Sequence, residues 1–338
     1  MSAKFNRPER PDEFTIELIK RSGDNDRSIA IPAQRELALA IQTPLRDALL
    51  YGDITNGWFQ SIDVEPGASI EYPLDFLSPG EEDEHVAYTL PPNGYIAQKQ
   101  VEGDYVMVPS YRFGGAIDWL LKYAREARWD IVGRAIQVLQ SQFTKKINDD
   151  AWHTLLSAAA DRNLLVYDAD AAAGQFTKRL VSLMKTVLRR NGGGNSSSVN
   201  RRKLSDIALS PEAIDDMRNW GLDQIDEMTR HDIYLAQDGS DKLTRVFGVF
   251  LHDLDEIGVG QEYQLFFTEV LGASIQASDE ELVIGADLSK GSFVRFIKEG
   301  MQVFDDPALH RLQKAGFYSW QEHGLLVADN RDIVASSF

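Results

Sequence analysis

Residues 129–160 read WDIVGRAIQVLQSQFTKKINDDAWHTLLSAAA, and this stretch decides the architecture. Its apolar positions Val132, Ile136, Leu139, Phe143, Ile147, Ala151 and Leu155 step by three or four, the period of one helix face. Asp130, near the start, complements the positive end of the helix dipole. At about 1.5 Å per residue, a helix running to Ala160 is roughly 48 Å long. A compact chain of 338 residues has an expected radius of gyration of roughly 20 Å, so one helix crosses the whole molecule. Such a helix is a spine, and it implies a flat or elongated body.

Working outward toward the N-terminus, Gly114-Gly115 opens a further helical segment that runs to Arg128. Before it, residues 56–105 are a different material: ten acidic side chains and a single lysine, Lys99. The acidic run Glu81-Glu82-Asp83-Glu84 follows the turn signal Ser78-Pro79-Gly80, and a second turn, Pro91-Pro92-Asn93-Gly94, lies beyond it. Short β-like pieces flank these turns, including Trp58 to Val64, Ala68 to Tyr72 and Tyr105 to Val108. The composition is that of a hairpin with too few large apolar residues to pack alone. It is either a solvated excursion or a ribbon that docks on a partner. Residues 1–35, broken by Pro8, Pro11 and Pro32, read as an extended arm. Leu37, Ile41, Leu45 and Leu49 then give a short amphipathic helix up to Tyr51, whose apolar stripe lies on this subunit or on a neighbour.

Toward the C-terminus, residues 174–189 read as a helix, followed by the Gly/Asn/Ser loop 191–198. Arg189, Arg190, Arg201, Arg202 and Lys203 flank that loop with no acid between them. Asp206 to Leu209 reads as a buried strand. Ser210 is placed to cap the next helix, and Pro211 takes its first position. Strands are expected at Leu243 to Leu251 and Leu282 to Ile284. A short helix is expected after Asp306-Pro307, and a long aromatic strand from Gly316 to Ala328 that covers the spine's apolar stripe.

Composition removes several classes of function. There is no cysteine, which excludes disulfides, Cys-ligated metals and thiol catalysis. No apolar run approaches the length of a membrane span. A formal charge of −17 argues against tight sequestration of nucleic acid. None of the six histidines has metal-ligand spacing, and neither a nucleophile elbow nor a phosphate-loop motif is present. His252, Asp253 and Glu256 make the one catalytic alternative worth carrying, a cytosolic α/β metal-dependent enzyme.

The order of parts resembles the HK97-type major capsid protein of tailed bacteriophages. The residues that carry the resemblance are Trp119 to Asp130 and Asn148 to Trp152 in the spine region, Ile207-Ala208-Leu209-Ser210-Pro211-Glu212-Ala213, Phe293 to Phe296, Phe304 to Arg311, and Gly324 to Arg331. The resemblance implies an α+β fold. It has an N-terminal arm over 1–55, a β-hairpin called the E-loop over 56–110, and a peripheral domain with the spine helix over 111–164. An α/β axial domain over 165–288 follows, then a C-terminal return through the peripheral domain over 289–338.

The resemblance further implies a non-enzymatic subunit without cofactors. It self-assembles as hexamers and pentamers into an icosahedral shell around double-stranded DNA, built in the host bacterial cytoplasm. Arm and ribbon are expected to reach over the adjacent subunit. Glu81, Glu82, Asp83, Glu84, Lys99, Arg189, Arg190, Arg201 and Arg202 are the expected inter-subunit contacts. Some members carry an N-terminal scaffolding segment. Only residues 1–35 precede the arm helix here, so a separate scaffolding protein is expected, with a portal and a decoration protein as further partners and only weak contact with DNA. Lys99 is the ribbon's candidate for the Lys–Asn crosslink some members form. An encapsulin-type nanocompartment shell is the near alternative.

Overall fold

The structure is a computed structural model, and it describes residues 13–51, 55, 57–74, 104–126, 128–191, 201–220, 245–276 and 281–338. The spine is one helix, α4 (Trp129–Asp161), of 33 residues. All of its stripe but the half-buried Ile136 is buried, and it serves two cores. Val132, Leu139 and Phe143 pack into one with Trp119 and Phe317. Ala151, Trp152, Leu155, Leu156 and Ala159 pack into the other with Trp58, Tyr263 and Ile284. The helix therefore joins two bodies as well as crossing them.

The first body is a four-stranded sheet. Strands β10 (Phe293–Asp305) and β11 (Lys314–Val327) pair antiparallel at its centre. Strand β4 (Tyr111–Leu120) adds antiparallel to β11, and β1 (Gln60–Asp63) adds parallel to β10. Strand β11 is the expected aromatic strand, and Phe317 does share a core with the spine's Leu139 and Phe143.

The segment opened by Gly114-Gly115 is a strand, not a helix; only α3 (Leu121–Arg125) is helical before the spine. The reason is close approach. A Cβ at Gly114 would stand 2.7 Å from the carbonyl oxygen of Ser319, and one at Gly115 would stand 3.2 Å from Leu139 and Phe143. Phe113, Ile117 and Trp119 alternate with exposed residues and face the same core, which is strand periodicity.

The arm is also corrected. Residues expected to be extended form α1 (Glu13–Ser22) and α2 (Arg27–Tyr51). Asp26 starts α2: its carboxylate accepts the Ser28 hydroxyl at 2.7 Å and the Ser28 backbone N–H at 2.9 Å, a capping bond, and these contacts hold its pKa below the usual carboxylate value. Pro32 sits inside α2 at a cost of about 3 kcal/mol. Ala30, Ala33, Leu37, Ala38 and Leu45 are all buried, and each fully buried Leu returns roughly 1.5–3 kcal/mol, so tertiary packing wins. Leu18, Ile19, Leu37, Ala38 and Leu45 pack on Trp119, Met301 and Val303, so residues 13–51 lie on their own subunit.

The second body is a six-stranded sheet, in the order β5 (Leu165–Tyr167), β12 (Ile333–Ser337), β9 (Leu282–Ala286), β6 (Asp206–Leu209), β8 (Val249–Asp253) and β7 (Arg245–Val246). Both faces are covered. Ile207 and Leu209 of β6 face α5 (Lys178–Arg190) and α6 (Pro211–Arg218), whereas Ala208 faces the spine's core. Ser210 caps α6 through Ala213 N–H at 3.2 Å, with Pro211 at the first position, as its sequence requires. Helix α5 begins later than the periodicity suggests, because Thr177 accepts from Leu180 N–H and caps it there. The strand expected over 243–251 is instead a hairpin. Phe247 and Gly248 both have positive φ, the geometry of a tight two-residue turn. The C-terminal return does not stay in the four-stranded sheet, since β12 inserts between β5 and β9.

Candidate functional site

Strands β2 (Glu71–Leu74) and β3 (Asp104–Met107) pair antiparallel and bracket the acidic segment, so they are the root of the ribbon expected there. Ile70, Tyr72 and Val108 pack on Val294 and Phe296, with the Tyr72 ring 5.9 Å from that of Phe296. The opposite face of the root carries Tyr105 and Met107, which are 65% and 68% exposed. A two-stranded ribbon has only one side to bury, and the body takes it. Glu81, Glu82, Asp83, Glu84 and Lys99 lie outside the described residues.

The connection from β11 to β12 carries a buried charge network. Arg202 lies 2.5 Å from Asp329 and 2.5 Å from Asp332, and all three side chains are buried. Arg331 also binds Asp329, at 2.9 Å, and Ser292 donates its hydroxyl to Asp332. Burial opposes ionisation of Asp329, but Arg331 and Arg202 outweigh it and hold its pKa below the ordinary value. Burial wins at Asp332, aided by Asp329 and Asp287, and raises its pKa despite Ser292 and Arg202. Arg162 donates to the carbonyls of Arg331 and Ile333 at 3.1 Å, tying the spine's C-terminal end to the same crossover. Arg202 was expected to face another subunit. Its guanidinium is instead used within this one, because the two aspartates that neutralise it are distant in sequence and adjacent in space.

Arg189, Arg190 and Arg201 are exposed, together with Lys203. Asn191, which ends α5, donates to the Arg331 carbonyl at 3.3 Å, so both flanks of the Gly/Asn/Ser loop meet at residues 329–331.

A cleft of about 550 Å³ lies beside the middle of the spine, lined by Gln140, Lys145, Asn148, Asp149, Glu262 and Tyr263. Burial and the neighbouring Glu262 raise the Asp149 pKa; burial and Asp149 raise that of the Tyr263 phenol, which donates to Asp149 at 3.2 Å. Glu256 lines this cleft, but His252 faces elsewhere: its Nε2 lies 2.8 Å from Asp206 and its ring 5.3 Å from Trp58. Among the described residues, no three His, Asp or Glu side chains are arranged to hold a metal ion, so His252, Asp253 and Glu256 do not form the metal site of the enzyme alternative. A buried pair that the sequence did not suggest is His323 and Asp150, 3.6 Å apart beneath the spine. Burial opposes ionisation of Asp150, yet His323 and Lys146 lower its pKa.

No family model matches the sequence, and no curated protein matches it. Solved structures do match the fold. A chain of the cyanophage Pam1 capsid asymmetric unit aligns with a TM-score of 0.55 at 14% identity, over 83% of this chain and 88% of that one. A chain of the capsid of the Myoviridae phage XM1 aligns with a TM-score of 0.52 at 13% identity, over 84% and 91%. A chain of the empty GTA particle capsid aligns with a TM-score of 0.51 at 14% identity, over 85% and 90%. The chain has the HK97-type fold. At such low identity the HK97-type fold is shared as a path of the backbone.

Proposed function

We propose that this chain is the major capsid protein of a tailed bacteriophage. It assembles as hexamers and pentamers into an icosahedral shell around double-stranded DNA, in the host cytoplasm. The observation that carries the reading is the HK97-type fold, extending over more than four-fifths of the chain, in a protein whose ribbon root leaves Tyr105 and Met107 exposed. Ring-closing heterologous contacts give such a ribbon a surface to lie on.

On this reading the six-stranded sheet with α5 and α6 is the axial domain, and the spine with the four-stranded sheet is the peripheral domain. Contacts between subunits run through the ribbon, with Glu81, Glu82, Asp83, Glu84 and Lys99. Arg202 has a structural duty inside the subunit. A separate scaffolding protein, a portal and a decoration protein complete the partners. Electron microscopy of the expressed protein tests the proposal. Closed particles, tubes or capsomer rings are expected, and a protein that stays monomeric or dimeric at physiological salt overturns it.

A further inference from the structure

Residues 178–205 carry eight cationic side chains and no acidic one, in a chain whose formal charge is −17. The structure shows how this segment is used. One face of α5 is buried through Leu180, Val181, Met184 and Leu188. Its outward positions hold only cations and hydroxyls: Lys178, Arg179, Ser182, Thr186, Arg189 and Arg190 are exposed. Arg179 is engaged by Asp168 and Asp170 at the helix's N-terminal end. At the other end, Asn191 and Arg202 both anchor on residues 329–331, which brings Arg201 and Lys203 beside the end of the helix. Partial burial lowers the Lys185 pKa, and the neighbouring Lys203 cation adds to the effect. Among the described residues Arg189, Arg190, Arg201 and Lys203 make no ion pair, and each is exposed.

We infer that Arg189, Arg190, Arg201 and Lys203 form a binding site for the phosphate backbone of duplex nucleic acid. Like charges held together on one face raise the potential and favour a polyanion that contacts several of them at once. The exposed hydroxyls of Ser182 and Thr186 beside the cations suit a phosphate partner. Arginine matches phosphate oxygens in a two-pronged geometry, and Ser and Thr hydroxyls are common phosphate contacts. A site of this kind carries no sequence preference, and its affinity falls steeply with salt. The buried Arg202–Asp329–Asp332 network fixes the underlying backbone, so the cations above it are presented from a rigid base. The inference deepens the shell reading by naming which part of the subunit meets the packaged duplex.

The test uses the purified full-length chain and a short mixed-sequence DNA duplex, followed by fluorescence anisotropy from about 50 to about 200 mM salt. Binding is expected at the low end. Arg189→Gln, Arg190→Gln, Arg201→Gln and Lys203→Gln combined should weaken it at least tenfold. The same variant should make the slope of log affinity against log salt shallower by roughly 3.5 to 4. The charge-conserving variant with Arg189→Lys, Arg190→Lys and Arg201→Lys should keep the affinity within a few-fold, and thermal melting of each variant reports folding. No DNA binding by the unaltered chain, or an unchanged affinity and slope in the neutralised variant, overturns the inference. So does loss of particle formation with DNA affinity intact, which would assign the patch to an acidic protein surface. Particle formation is scored separately by electron microscopy, so a chain that never assembles but binds duplex DNA through these residues separates this inference from the shell reading.

Discussion

The guanidinium of Arg202 lies 2.5 Å from the carboxylate of Asp332, and both side chains are almost sealed from water. Arg202 stands just before β6 of the six-stranded sheet. Asp332 stands on the crossover that leaves β11 of the four-stranded sheet to become β12. One ion pair therefore pins the connection between the two sheets. Taking both charges out of water costs several kcal/mol, so the pair is a device of geometry more than a source of stability.

Removing one partner should be severe. Arg202→Met leaves Asp329 and Asp332 buried without their cation, and breaking a buried pair of this kind costs about 3–5 kcal/mol. Denaturant unfolding should show that loss. Adding Asp332→Leu should recover part of it, because no second uncompensated charge then remains at that position. A single variant as stable as the parent would remove the pin from this account.

The two aspartates should respond to pH with opposite sign. The Asp329 pKa is depressed in the fold, so its contribution is present above the unfolded value of about 4 and is lost as pH falls through the lowered folded value. The Asp332 pKa is raised, so its contribution is present below about 4 and is lost as pH rises through the folded value. Asp329→Asn should therefore lower the melting temperature at pH 7, with the gap closing in acid. Asp332→Asn should be nearly neutral at pH 7, or stabilising. Melting curves between pH 3 and pH 7 decide it, and equal losses at pH 7 would contradict the assignment.

Much of the fold was legible because it is local. The spine's seven apolar positions and the Ser210-Pro211 cap declare themselves within a few residues. What was illegible depends on distant partners. Pro32 reads as a helix breaker until Leu37 and Leu45 are seen buried against β10. Gly114-Gly115 reads as a helix start until Ser319 and Leu139 are seen pressing on them. Arg202 reads as one more surface cation because its partner Asp329 is 127 residues away. Strand β12, Ile333-Val334-Ala335-Ser336-Ser337, is five residues buried throughout with no alternation to announce it, and Phe247-Gly248 is not a turn dipeptide that composition flags.

Gly114 offers a steric test of the β4–β11 pairing. A Cβ there would meet the backbone oxygen of Ser319 at 2.7 Å, and backbone cannot rotate away. Gly114→Ala should destabilise the subunit by about 1–3 kcal/mol, the usual cost of forced overpacking. Gly67 has φ +90° with open space around it. Gly67→Ala therefore carries only the strain of that backbone, about 1–2 kcal/mol. Heteronuclear NMR or hydrogen exchange separates the two. The first change should loosen amides along β4 and β11, and the second only those near residue 67. Intact protection along β11 in Gly114→Ala would count against the close approach.

The ribbon root separates folding from assembly. Tyr105 and Met107 alternate with Val106 and Val108, and only the second pair faces the body. Surface changes that disturb no buried group usually stay within about 0.5 kcal/mol, so Tyr105→Ser with Met107→Ser should leave the melting temperature almost unchanged. An exposed apolar face that a neighbour covers is, by contrast, where interface energy concentrates, and losing an aromatic anchor there costs about 2 kcal/mol or more per contact. That cost recurs at every subunit of a shell. The double variant should therefore remain a folded, soluble subunit that no longer forms particles by sedimentation or electron microscopy. Val108→Ser, on the inward face, should instead lower the melting temperature. Normal particles from the double variant would mean that this face of the ribbon root is not covered by a neighbour.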